Sequence, residues 1–111
     1  MSKILLDTNA YSNLLSGNES VYASISNAEI IYMTPIVIGE LLFGFKNGKK
    51  YKWNKDILNK FLSKPGIQIL KVSIETSEIF SDIMAFLSKS GNPIPINDIW
   101  IASQAIETGS I

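Results

Sequence analysis

Three short runs, Ile4-Leu5-Leu6, Ile30-Ile31-Tyr32-Met33 and Ile67 to Val72, read as strands, and each is followed by a stretch whose apolar residues recur at helical spacing. The first two are apolar throughout, as in strands buried on both faces. Strands alternating with helices imply a parallel sheet covered by helices, and the ligands of such sheets gather at the carboxyl ends of the strands. Asp7 stands at such an end, directly after Leu5-Leu6.

The helices can be bounded by their caps. Asp7-Thr8-Asn9 are good cap residues ahead of a helix over Ala10 to Leu15, and Ser16-Gly17-Asn18 break the pattern before a second over Glu19 to Ser26. Thr34-Pro35 opens a third that runs to about Phe45, since proline at the first helical position forfeits no useful hydrogen bond. Trp53 to Leu62 forms a fourth, stopped by Lys64-Pro65-Gly66. Ser73 to Lys89 carries the stripe of a fifth, ended by Gly91-Asn92-Pro93. An extended segment through Ile96 then leads to a last helix capped by Asn97 and ending near Thr108-Gly109, after which Ser110-Ile111 looks like the first step of another strand.

At 111 residues the chain is expected to be one domain, and 46% hydrophobic with 18% charged residues suits a single real core. No repeat or linker divides it. Cysteine and histidine are both absent, which excludes disulfides, thiolate nucleophiles, zinc fingers, Ser-His-Asp triads and imidazole acid–base chemistry. Any catalysis must run on carboxylates, hydroxyls, lysines or bound metal. Met1-Ser2-Lys3 leads into only three apolar residues, too few for a signal peptide. Ile30 to Phe45 is too short to span a bilayer comfortably and contains Pro35 and Glu40. The expectation is a cytoplasmic protein with no membrane segment.

The formal charge is zero, but it is unevenly spread. Between Lys46 and Lys64 lie seven lysines and one acid, Asp56, so that this segment carries +6 and the remainder −6. One face can therefore meet an anionic polymer while another stays acidic enough to hold cations. Lys46, Lys49 and Lys50, interleaved with Phe45, Tyr51 and Trp53, suit phosphate attraction and base stacking.

Three acids stand out. Asp7 follows a strand, where it could simply cap a helix or, with Thr8 and Asn9 beside it, ligate a hard cation. Glu40 sits in an otherwise apolar helix with no cation at i±3 or i±4, positions held by Ile36, Val37, Phe43 and Gly44, so it either faces solvent or finds a distant partner in a pocket. Asp98 in the first turn of the last helix is favoured by the helix dipole whatever its task. Gathered within ~4 Å, carboxylates would repel by about 4 kcal/mol per pair at an effective dielectric near 20, which a divalent cation removes. Clustering of the three would predict metal.

Leu5-Leu6-Asp7-Thr8-Asn9, Pro35-Ile36-Val37-Ile38-Gly39-Glu40-Leu41 and Asn97-Asp98-Ile99-Trp100-Ile101-Ala102 resemble, in order and spacing, three motifs of the PIN domain, and in particular of VapC-type ribonuclease toxins. The resemblance covers essentially the whole chain. It implies a three-layer α/β/α sandwich with a central parallel sheet, in which Asp7, Glu40 and Asp98 hold Mg²⁺ or Mn²⁺ and Thr8 is an auxiliary hydroxyl. It implies an endoribonuclease in which water, activated by the carboxylate-held metal, attacks an RNA phosphodiester. It also implies a homodimer and a small antitoxin partner, and Tyr11, Leu14, Leu15, Leu41, Leu42, Phe43 and Phe45 supply more apolar surface than one small core needs.

The family continues past the position of Ile111 through a strand into a Thr-x-Asp-type motif carrying a fourth acid. Against that pattern the chain reads as a PIN-like domain short of its last strands, with weakened metal binding. Glu107 is a poor replacement, since nine residues of helix set it ~14 Å along the axis from Asp98. The alternative function is a catalytically impaired PIN-like remnant that binds antitoxin or RNA without cleaving. A phosphatase of haloacid-dehalogenase type ranks lower, because position 9 is asparagine where that chemistry wants a second aspartate.

Overall fold

In the computed structural model, which describes residues 2–111, the elements run β1 (Lys3–Leu5), α1 (Thr8–Leu15), α2 (Glu19–Ser26), β2 (Ile30–Met33), α3 (Pro35–Lys46), α4 (Tyr51–Leu62), β3 (Ile67–Ile69), α5 (Ile74–Ser90) and α6 (Ile96–Thr108). The strands form a parallel sheet in the order β1-β2-β3, with Leu5 opposite Tyr32 and Tyr32 opposite Gln68. Helices flank it in the expected three-layer α/β/α arrangement. Consecutive residues Ile31, Tyr32 and Met33 of β2 are all buried, although their side chains point alternately to opposite faces, so both faces of the central strand are covered.

The larger core lies on the face of Ile31 and Met33, where Leu6, Tyr11, Val37, Leu41 and Leu58 close around them. Tyr11 stacks edge-on against Phe61, with ring centroids 5.4 Å apart. Its hydroxyl is buried without a hydrogen-bond partner among the described residues, and burial pushes its pKa above the ordinary 10.0. Towards the other face, Leu5 lines a cleft with Ile101, Ala102 and Ala105 of α6. There α6 packs most extensively on α5, with Trp100 stacked on Phe80 at 3.9 Å.

Local chemistry explains most of the boundaries. Asn18 caps α2 by accepting from Val21 N, and Thr34 caps α3 by accepting from Ile36 N just ahead of Pro35. Gly91 ends α5 and Gly109 ends α6 in the left-handed region, at φ 71° and 67°, which a residue with a Cβ would enter at a cost.

Several boundaries differ from expectation: α1 starts at Thr8 rather than Ala10 and α4 at Tyr51 rather than Trp53, and two further shifts bear on the site. β3 stops at Ile69 rather than Val72: Leu70 N still donates to Met33 O at 2.8 Å, but the chain then leaves the sheet to build a capping box at Ser73 and Thr76. The last helix starts at Ile96, not after an Asn97 cap. Pro95 occupies the cap position and makes no side-chain cap bond, so Asn97 lies inside the first turn with its amide free for other work.

The path of α6 positions the site. Its C-terminal end lies at the start of β1, where Lys3 Nζ donates to Thr108 O at 3.4 Å. Its first turn therefore lies towards the carboxyl ends of the strands. Beyond it, Ile111 N donates to Lys3 O at 3.1 Å and Leu5 N donates to Ile111 O at 3.3 Å, the spacing of a parallel ladder and the continuation expected at Ser110-Ile111. β2 and β3 lie on one side of β1 and Ile111 on the other. The chain thus reverses its direction across the sheet at β1, and that reversal opens a crevice at the strand's carboxyl end. Among the described residues no helix is long and apolar enough to cross a membrane.

Candidate functional site

The end of β1 delivers Asp7 into this crevice. Its backbone is extended and its Oδ1 accepts from Ala10 N at 2.7 Å, so it starts α1 as a true N-cap. That bond engages one carboxylate oxygen. Asp7 and Asp98 line the same cleft, of about 320 Å³, with Leu5, Ile101, Ala102, Ala105 and Ile111 making its apolar wall. Both acids are solvent-exposed, which spares them the cost of a buried charge.

Glu40 arrives from the middle of α3 and is only half-exposed. Its distant partners are now plain. Thr8 Oγ1 donates to Glu40 Oε1 at 2.7 Å, and Asn97 Nδ2 donates to Oε2 at 3.4 Å. Thr8 directly follows Asp7 and Asn97 directly precedes Asp98, so one carboxylate ties together the two elements that carry the other acids. Glu40 lines a neighbouring hollow, also about 320 Å³, with Pro35, Ile36, Gly39, Phe43 and Asn97. The three acids thus meet as a linked group rather than around one point. Among the described residues no three acidic side chains are placed to enclose a metal ion.

A metal fits part of this arrangement. The donors are all oxygen, and Asp7 and Asp98 face a shared, open, water-accessible cleft. That suits Mg²⁺ or Mn²⁺, which are typically held by one or two carboxylates and keep several waters for exchange with a phosphate. Zinc, which prefers nitrogen and sulfur, is poorly served.

The remaining sequence candidates separate clearly. Lys46, Lys49 and Lys50 are all exposed, at the end of α3 and in the loop to α4. Lys46 Nζ lies 5.7 Å and Lys55 Nζ 5.8 Å from the centroid of the Tyr51 ring, so two ammonium groups share one aromatic ring. Of the apolar surplus, Tyr11 and Leu41 are core, whereas Leu14 and Leu15 line an apolar groove of about 560 Å³ with Tyr22, Ile57 and Phe61. Glu107 is not near the acids at all. It accepts from Thr76 Oγ1 at 2.6 Å and from Ser73 Oγ at 3.1 Å, and so locks the start of α5 to α6.

Two contributors were not visible in the sequence. Asn97, expected to cap a helix, instead holds Glu40; the only signal was that Glu40 lacked a local partner. The fully buried pair Thr34 and Gln104 joins the start of α3 to α6, and Gln104 Nε2 also donates to Lys71 O at 3.4 Å. Nothing in the local pattern around Gln104 marks it as more than a polar residue within a helix.

Comparison with known proteins agrees with this fold. The family model described as "PIN domain" matches residues 4–111. The chain is 31% identical to Ribonuclease VapC2 of Haemophilus influenzae over 113 aligned positions, covering all of this chain and 84% of that protein. It is 28% identical to Ribonuclease VapC2 of Rickettsia felis, covering 92% of this chain and 78% of the relative. Among solved structures, it superposes with a TM-score of 0.84 on a chain of the Rickettsia felis VapBC2 complex bound to a promoter DNA fragment, at 28% identity and with 99% of this chain and 84% of that one covered.

Proposed function

The chain belongs to the PIN-domain family, and from that premise we propose that it is a divalent-metal-dependent endoribonuclease, the toxin of a toxin–antitoxin pair. The observation that carries the reading is the linkage of Asp7, Glu40 and Asp98 from three separate elements through Thr8 and Asn97. A cap and two surface acids would have no reason to be tied together at a strand end. The relatives named as ribonucleases set the reaction class.

In this reading Asp7 and Asp98, which line one cleft, would be the residues that hold Mg²⁺ or Mn²⁺. A cation bound there would supply positive charge for the reacting phosphate and make hydroxide available near neutral pH. Hydrolysis forms one P–O bond from water and breaks the P–O bond to the leaving ribose oxygen, which takes up a proton. Thr8 holds Glu40 Oε1 in place through the shorter of its two bonds. Oε2, on the longer bond to Asn97, is the oxygen available to accept from a water in the adjoining hollow. Ile101, Ala102 and Ala105 form an apolar wall along one side of the open cleft shared by Asp7 and Asp98. Lys46, Lys49 and Lys50 attract the RNA backbone, whose approach to three carboxylates needs a compensating positive surface.

The partner follows from the same relatives: the VapBC complexes pair a toxin with an antitoxin, and a small antitoxin protein together with a second copy of this chain completes the proposed assembly. The test is incubation of the purified chain and its Asp98→Asn variant with structured RNAs in Mg²⁺ or Mn²⁺, with EDTA as control. Metal-dependent cleavage, abolished by EDTA and lost in the variant, is expected. RNA binding without cleavage would replace the enzyme by the impaired remnant, and release of phosphate from small monoesters would replace it by a phosphatase.

A further inference from the structure

Phe43 is 68% exposed, an unusual position for a phenylalanine on a helix whose other large side chains, Leu41, Leu42 and Phe45, pack into or against the core. It does not stand alone. It lines the hollow that contains Glu40 and Asn97, and Gly39 leaves the floor of that hollow open, since a Cβ there would meet nothing within 4 Å. Glu40, Phe43 and Lys46 recur at three-residue spacing on α3 and so form one ridge, with a rise of ~4.5 Å between successive members. At the far end Lys46 and Lys55 gather over Tyr51, within the segment that carries +6.

We propose that this ridge is the contact strip for single-stranded RNA beside the scissile bond, with an unpaired base stacked on Phe43 and the adjoining phosphate received by Lys46. The proposal rests on the ribonuclease reading above and extends it to the form of the substrate. An aromatic face open to solvent stacks any base that is not already paired, which selects loops and single strands over duplex. The charge gradient along the ridge, acidic at Glu40 and cationic at Lys46, fixes which end faces the reaction. Charge complementarity also selects the occupant. A second copy docked here about a twofold axis would bring one lysine-rich segment against the other, whereas a polyanion is attracted to it.

The test is fluorescence anisotropy of the full chain with a labelled single-stranded RNA in EDTA, repeated with an oligonucleotide of the same length lacking bases. Phe43→Ala is expected to weaken binding of the first by about 5- to 100-fold and to leave binding of the second nearly unchanged, with Phe43→Trp restoring the loss. Lys46→Gln should weaken both and flatten the salt dependence. Equal affinity of wild type and Phe43→Ala, or an equal loss on the baseless strand, overturns the proposal. So does conversion of a dimer to a monomer by Phe43→Ala, measured by light scattering, with RNA affinity unchanged, which would assign the ridge to a second copy. Wild-type cleavage of RNA in Mn²⁺ together with an indifferent Phe43→Ala leaves the nuclease standing and removes the ridge. Absence of both binding and cleavage in wild type removes the nuclease reading itself, and the ridge with it. Phe43 is exposed, so thermal melts of its variants should match wild type and exclude misfolding as the cause.

Discussion

Asp7 carries two tasks that chemistry allows to be separated. As the N-cap of α1 it needs only an oxygen acceptor for Ala10 N, whereas as a cation ligand it needs charge. Asparagine caps a helix nearly as well as aspartate, so Asp7→Asn keeps the bond and loses only the charge–dipole attraction, which at an exposed site costs about 0.5 kcal/mol or less. Asp7→Ala loses both, about 1 to 1.5 kcal/mol. For a chain of this size the alanine variant should melt about 4–8 °C below wild type, and the asparagine variant within about 3 °C of it. Mn²⁺ binding, followed by isothermal titration calorimetry, should disappear in both. The measurement is therefore a pair of thermal melts beside a pair of titrations. An asparagine variant that is as unstable as the alanine one, or that still binds Mn²⁺ as wild type does, would refute the division of labour and with it the role of Asp7 as ligand.

Glu107→Ala removes the acceptor of Thr76 Oγ1, on a residue that is fully buried, and of Ser73 Oγ. Stability should fall by about 1–2 kcal/mol in urea melts and amide exchange at the start of α5 should quicken, while cleavage well below the melting temperature persists. Gln104→Leu leaves the buried Thr34 hydroxyl without the acceptor for its proton, although it still accepts from Ile36 N, and should cost about 1–3 kcal/mol on the same assay. Tyr11→Phe deletes a buried hydroxyl with no partner and should leave stability at neutral pH unchanged or raise it by up to about 1 kcal/mol. Because the folded-state pKa of Tyr11 is raised above 10.0, the unfolded chain loses its phenolic proton first as pH rises, so this residue's contribution is intact below pH 10 and declines above it. Urea melts at pH 8 and 10.5 should show a smaller alkaline loss in Tyr11→Phe than in wild type.

Much of the architecture was legible because it is encoded locally. Asn18, Thr34, Pro35, Gly91 and Gly109 mark helix ends through their own backbone preferences, and each marks one in the structure. The errors fell where a distant group competed with a local preference. Asn97 is a good cap by type, yet Pro95 takes the cap position and Glu40, fifty-seven residues away in sequence, takes the amide. Leu70 and Val72 are apolar enough for a strand, but the chain leaves the sheet after Leu70 to build the capping box at Ser73. Glu107, considered only as a substitute acid, is committed to Ser73 and Thr76 across the α5–α6 contact.

By itself the sequence determined the order of strands and helices, the acid at the end of the first strand, the concentration of positive charge between Lys46 and Lys64, and the exclusion of cysteine and histidine chemistry. These depend on residue type and short-range spacing, which a linear chain states outright. The tertiary structure alone decided that β1 is the point where the sheet reverses, that Asp7 and Asp98 share a cleft, and that Glu40 stands beside them on Thr8 and Asn97 rather than among them. Hydrogen bonds between residues tens of positions apart have no local signature. They exist because packing the apolar faces of α1, α3 and α6 onto one sheet brings their polar ends to the same edge.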